Sequence, residues 1–243
     1  MKQILCLIIS FMFFTVPALA DDQSLILASG GGYKKMVNAL AKTYETETGN
    51  SLQLIYGNMG RVTAQAKTSG AVDMVLGAEF FFKRAGLSFK QVEKLGQGRL
   101  VLAWSKAFKS QNDAKTDLQS KATKRIALPD TQKAIYGRAS QQYLERTGLL
   151  PELQDKLLIV ATVPQVFSYL SINEVDLGFL NLTHALNVKK SLGGYSMIPE
   201  SDYDPINIVI GEMNGAPHSD KTADFFHFLA SEKAREIIRD NGL

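Results

Sequence analysis

Cysteine is nearly missing from this 243-residue chain: Cys6 is the only one. A disulfide framework and a thiolate metal cage are thereby excluded, and the fold must rest on its hydrophobic core. Histidine is also scarce. His184, His218 and His227 lie far apart and form no H-E-x-x-H or other metal-ligand spacing. Excess charge of one sign is lacking as well. The 27 Lys and Arg against 24 Asp and Glu leave a net charge of +3, too little for a nucleic-acid footprint, and no basic stripe interleaved with aromatics occurs. No internal apolar run approaches the ~18 to 20 residues that span a bilayer. A G-x-S-x-G elbow and a P-loop are absent, and Gly96-Gln97-Gly98 lacks the third glycine of a dinucleotide fingerprint. What remains is 45% hydrophobic and 21% charged, a globular composition long enough for one large domain or two halves of roughly 100 residues each.

The first twenty residues read as a cleaved secretory leader. Lys2 supplies the positive end, Ile4 to Val16 the apolar core, and Ala18-Leu19-Ala20 the small-x-small cleavage site before Asp21-Asp22. The apolar core is too short for a membrane anchor, and Pro17 follows it. The mature chain expected from this, Asp21 to Leu243, has no cysteine and suits a bacterial periplasm.

From Leu25 onward short apolar runs alternate with helical periodicity. Leu25–Ala28 ends in Ser29-Gly30-Gly31-Gly32, and Tyr33, Met36, Val37, Leu40, Ala41 and Tyr44 then recur at helical spacing up to Gly49. Leu52–Tyr56 ends in Gly57-Asn58-Met59-Gly60, before a helix from about Arg61 to Ser69. Val72–Leu76 and Leu100–Trp104 are further strands. Residues 106–124 turn polar, as a surface connection does. Strands then resume at Arg125–Leu128, Leu157–Ala161, Val175–Leu180 and Ile206–Ile210, with helices at Tyr136–Arg146 and Val163–Ser171. A final helix capped by Asp220 carries Phe225, Phe228, Leu229 and Ile238. The pattern predicts an α/β protein of two lobes with mostly parallel sheets flanked by helices. Lobe 1 is expected over residues 21–103 and 205–243, lobe 2 over 104–204. Two chain crossings between them, near 102–106 and 196–206, make a hinge that permits closure around a ligand.

Ligands of open parallel sheets sit beyond the strand carboxyl ends. Two glycine turns lie there, Ser29–Gly32 and Gly57–Gly60. Glycine lets backbone N–H groups approach a ligand, and a following helix start adds unsatisfied donors and partial positive charge, together a cradle for an anion. Arg61 beside the second turn is a candidate clamp for a carboxylate, phosphate or other oxyanion; a solvated surface charge is the plainer reading. Glu79, Arg61 and Tyr136 are the candidates for an acid/base role, and none has an evident partner in sequence.

The order of motifs resembles the periplasmic molybdate-binding proteins of ABC importers, within the type II periplasmic binding-protein superfamily. The resemblance covers Leu25 to Leu243. It is carried by the helix ending Tyr44-Glu45-Thr46-Glu47-Thr48-Gly49, by Ser69-Gly70-Ala71-Val72-Asp73 with Ala78-Glu79, by Gly98-Arg99-Leu100-Val101-Leu102, and by Ala127-Leu128-Pro129-Asp130 with Tyr136-Gly137-Arg138-Ala139. Asn173-Glu174-Val175-Asp176 and Ser231-Glu232-Lys233-Ala234 extend it. The family holds its tetrahedral anion with neutral donors: two serine hydroxyls, backbone N–H groups and a tyrosine. Here the resemblance puts Gly32 and Asn58 or Met59 at the serine positions, Tyr136 and Val163 at the backbone donors, and Asn181 at the tyrosine position. The ligand set it implies is Ser29, Gly31, Gly32, Asn58, Met59, Gly60, Arg61, Tyr136, Gly137, Val163 and Asn181.

The implied function is that of a monomeric, non-enzymatic solute-binding protein of the periplasm. It needs no cofactor and no nucleic acid, takes a molybdate- or tungstate-like oxyanion between two lobes, and delivers it to an inner-membrane ABC permease. A different anionic solute, or a sensor or enzyme built on the same fold, is the alternative.

Overall fold

The computed structural model describes residues 24–243; the expected leader at residues 1–20 lies outside them. The first stretch of chain runs β1 (Leu25–Gly30), a 3-10 turn (Gly31–Tyr33), α1 (Lys34–Thr48), β2 (Leu52–Gly57), α2 (Met59–Ser69), β3 (Met74–Ala78), α3 (Glu79–Ala85) and β4 (Phe89–Gly98). The second runs β5 (Leu100–Trp104), α4 (Ala114–Gln119), β6 (Ile126–Pro129), α5 (Ile135–Arg146), α6 (Leu150–Leu153), β7 (Leu157–Val160), α7 (Val163–Ser171), β8 (Leu177–Asn181), α8 (Leu182–Val188) and β9 (Gly194–Met197). The chain then returns through β10 (Ile206–Met213), α9 (Ser219–Leu229) and α10 (Glu232–Asp240).

Two five-stranded sheets result, ordered β2-β1-β3-β10-β4 and β7-β6-β8-β5-β9. The predicted alternation appears as parallel pairs, β1 with β2 and β3, and β6 with β7 and β8. The strands that carry the crossings, β5 and β10, pair antiparallel on both sides. The sheets are therefore mixed rather than mostly parallel. The first crossing also falls at Arg99, ahead of β5 and not after it, because Leu100–Trp104 is hydrogen-bonded to β8 and β9 of the second sheet. Apolar character alone could not assign that strand to a sheet: all five residues of β3, β5 and β8 alike are buried, as central strands covered on both faces must be.

Local chemistry sets the boundaries. On α1, Met36, Val37, Leu40, Ala41 and Tyr44 form the buried face, and Gly49 at φ 76° closes the helix in the left-handed conformation that glycine tolerates. The expected single C-terminal helix is two. Ser231 caps α10 by accepting from the Ala234 N–H, and Asp220 lies in the first turn of α9 rather than at its cap. The polar stretch 106–124 holds α4, capped by Asp113. Buried Asp73 ties the first sheet to α9: it accepts from the Ile26 N–H at 2.8 Å and the His218 N–H at 2.9 Å, and its Oδ2 lies 3.0 Å from His218 Nδ1. The outer edge strand β4 exposes Lys90, Gln91, Glu93 and Lys94, charges that discourage pairing with another chain.

Candidate functional site

Four helix starts converge between the two sheets. The 3-10 turn after β1 runs straight into α1, and α2 follows the end of β2, both in the first half. From the second half come α5, which follows β6, and α7, which follows β7. The first N–H groups of a helix have no intrahelical acceptor. The 3-10 turn and α5 have no side-chain cap either. Asn58 caps α2 through the Arg61 N–H, and Thr162 caps α7 through the Gln165 N–H, so neither cap takes the Met59 or the Val163 N–H. The residues carrying these donors, Gly31, Gly32, Met59, Ile135, Tyr136 and Val163, line one cavity of about 30 Å³, with Gly30, Tyr33, Gly57, Asn58, Ala134 and Thr162 completing its wall. Among the described residues no charged side chain lines it.

The halves touch around this cavity. The Gly60 N–H donates to the Lys133 carbonyl at 3.0 Å, and Asn181 Nδ2 donates to the Gly32 carbonyl at 3.2 Å. Tyr33 and Tyr136 share a hydroxyl–hydroxyl bond of 2.5 Å. Farther out, Arg84 donates to the Gln132 carbonyl and Lys35 to the Asn187 carbonyl. The Arg138 guanidinium sits 4.1 Å from the centre of the Phe80 ring, and Arg138 and Arg146 both pair with Asp204 on the second crossing.

Of the residues expected at a site, Gly31, Gly32, Asn58, Met59, Tyr136 and Val163 line the cavity. Ser29 is buried beneath the turn, its hydroxyl donating to the Gly30 carbonyl at 3.4 Å. Gly60 spends its N–H on Lys133. The Arg61 side chain is exposed and outside the cavity wall; its Cδ lies 3.4 Å from where a Cβ on Gly57 would sit. Gly137 lets α5 close on β6, since a Cβ there would lie 2.3 Å from the carbonyls of both Pro129 and Asp130. Asn181 is fully buried behind Gly32, and its Oδ1 has no hydrogen-bond partner among the described residues. Glu79 forms a surface ion pair with Lys83 at 2.5 Å, and this pairing holds its carboxyl below the usual range.

Residues missed in the sequence flank those found. Ala134 and Ile135 gave no start signal, because α5 has alanine where a capping side chain usually stands. Thr162 did carry one: with Gln165 it forms a capping box. Burial pushes the Tyr33 and Tyr136 hydroxyls well above the ordinary tyrosine range, so both are neutral donors and acceptors and neither is a base at neutral pH. On α8, His184 stacks edge-to-face with Phe167, ring centroids 5.5 Å apart, and its Nε2 is buried without a hydrogen-bond partner among the described residues. Burial, with a smaller contribution from nearby Lys35, pushes this imidazole down to about 4.

Comparison with known proteins places this arrangement. The family model described as bacterial extracellular solute-binding protein matches residues 25–243. A putative binding protein of Haemophilus influenzae is 25% identical over 223 residues, covering 90% of this chain and 89% of its own. The molybdate-binding protein ModA of Azotobacter vinelandii is 24% identical over 232 residues, covering 92% and 90%. Among solved structures, the periplasmic molybdate-binding protein of Azotobacter vinelandii superposes with a TM-score of 0.81 at 23% identity, over 90% of this chain and 98% of that one.

Proposed function

The chain belongs to the bacterial extracellular solute-binding protein family, and from that premise we propose that it captures a small oxyanion of the molybdate or tungstate kind between its two sheets and presents it to an inner-membrane ABC permease. The observation that carries this reading is the convergence of four helix starts on one small cavity that has no charged side chain in its wall. Helix starts offer N–H groups and the positive end of the backbone dipole, which suit an anion stripped of water. Neutral donors fixed by the backbone hold such an ion without a buried counter-charge that would stand unpaired when the site is empty. A space of about 30 Å³ admits a couple of waters or one compact anion and not an organic solute of drug size, whose pocket takes ~300 to 1,000 Å³. The two crossings at Arg99 and between β9 and β10 supply a hinge, and the contacts of Gly60 with Lys133 and of Asn181 with Gly32 supply the closed state.

A second anion class is favoured by one feature: Met59, Ile135 and Val163 give part of the wall an apolar surface, which suits a small carboxylate or phosphate ester carrying a methyl-sized group. Isothermal titration against molybdate, tungstate, sulfate, phosphate and small organic acids, with native mass spectrometry of the protein as purified, separates the two. Tight binding of molybdate or tungstate supports the first reading, and selective binding of an organic anion the second. A folded protein that binds nothing on the panel refutes both.

A further inference from the structure

Two tyrosines of the cavity wall also meet each other across the two halves, against Gly98 at the first crossing. Tyr33 ends the 3-10 turn of the first half and Tyr136 stands in the first turn of α5 in the second. Both are at most 2% exposed, and their hydroxyls meet at 2.5 Å. The pair abuts Gly98, the last residue of β4. A Cβ on Gly98 would lie 2.2 Å from the Tyr136 hydroxyl oxygen and 3.0 Å from that of Tyr33. Gly98 pairs with Ile206, the first residue of the returning strand β10, so the two hydroxyls occupy the place of a missing side chain where both connecting segments pass.

The position matters because each tyrosine adjoins a set of donors. Gly31 and Gly32 precede Tyr33, and Ile135 precedes Tyr136, all in the cavity wall. A bond between the hydroxyls fixes one donor set against the other. We propose that the Tyr33–Tyr136 pair, seated on Gly98, is a positioning pin that holds the two halves in the ligand-binding register. Its effect on affinity rests on the binding reading above; its effect on the union of the halves does not. Burial keeps both hydroxyls protonated, so one O–H donates to the other oxygen and no phenolate charge opposes the contact.

The socket makes the pin testable by rescue. Gly98→Ala drives a methyl into the Tyr136 hydroxyl, while Tyr136→Phe removes the atom it strikes. Wild type, Gly98→Ala, Tyr136→Phe and the double variant are titrated with molybdate, or with whichever anion of the panel binds wild type most tightly. The expected result is at least a tenfold loss of affinity in Gly98→Ala, a loss of a few fold in Tyr136→Phe, and a double variant that binds at least threefold more tightly than Gly98→Ala. Wild-type affinity in Gly98→Ala, or a double variant no tighter than Gly98→Ala, overturns the pin and leaves the binding reading intact. If wild type binds nothing on the panel, the binding reading fails and thermal unfolding of the same four proteins decides the pin. A double variant melting above Gly98→Ala supports it, and one melting at or below Gly98→Ala overturns it.

Discussion

Lowering the pH tests the packing of α8 against the rest of the site through a single imidazole. His184 is pushed down to about 4, first by burial and then by Lys35, while an unfolded histidine titrates near 6.5. A depressed value means that the folded protein favours the neutral ring. Above pH 6.5 both states are neutral at this residue and its protonation costs nothing. As the pH falls below 6.5 the unfolded chain takes up a proton that the folded one refuses, so stability is lost, and the loss levels off near pH 4. At ~1.36 kcal/mol per unit the difference amounts to about 2.5 kcal/mol by pH 4.5, or roughly 5 to 10 °C in melting temperature for a chain of this size. The depressed carboxyls of Glu79, Asp113, Asp204 and Glu212 also cost stability in acid, but below their own ordinary range. They cancel when wild type is compared with His184→Leu at each pH. Urea unfolding from pH 7.5 to 4.5 is expected to show the two proteins converging in stability, or the variant overtaking, by about 2.5 kcal/mol across that range. A stability difference that stays flat with pH would show that the ring is not shielded from water, and the reasoning fails.

Three further outcomes follow from the same geometry. Gly32→Ala places a Cβ 2.6 Å from the buried Oδ1 of Asn181, so anion affinity by isothermal titration falls tenfold or more; an unchanged affinity would show that Asn181 yields freely. Arg61→Ala removes an exposed side chain outside the cavity wall and changes affinity by no more than about twofold at 0.15 M salt, where exposed charges are screened; a tenfold loss would restore the guanidinium as a clamp. Asp73→Ala strips the acceptor from the Ile26 and His218 N–H groups and the charge facing the His218 ring. It should cost about 3 kcal/mol or more in urea unfolding, the usual scale for donors left buried without a partner.

The strands and helices next to the glycine turns were legible because their signals are local. Gly49 stops α1, Leu52–Gly57 runs into a turn, and the periodic residues of α1 are the buried ones. The elements that escaped notice carry weak local patterns. β4 reads FKQVEKLGQG because an edge strand faces solvent along much of its length, and α3 has only seven residues. β5 was visible as a strand, yet its sheet was not, since pairing with β8 and β9 is set by tertiary contact rather than by its own residues. The site shows the same division. Glycines at strand ends pointed to the cavity, but which donors remain free depended on partners far along the chain: Lys133 consumes the N–H of Gly60, and Asn181 turns to the carbonyl of Gly32. Arg61 adjoins the second turn, which made it a candidate clamp beside the plainer reading of a surface charge. Asn58 caps the helix through the Arg61 backbone N–H, and the guanidinium stays at the surface.

The place of β10 between β3 and β4 governs the order in which the protein can assemble as the chain emerges amino end first. After β4 emerges, the first sheet stands split until Ile206–Met213 arrives more than a hundred residues later. The second sheet draws all its strands from one unbroken stretch, Leu100–Met197, and is complete earlier. The half that begins the chain is therefore the last to be finished, and until then it lacks the interior strand that joins β3 to β4.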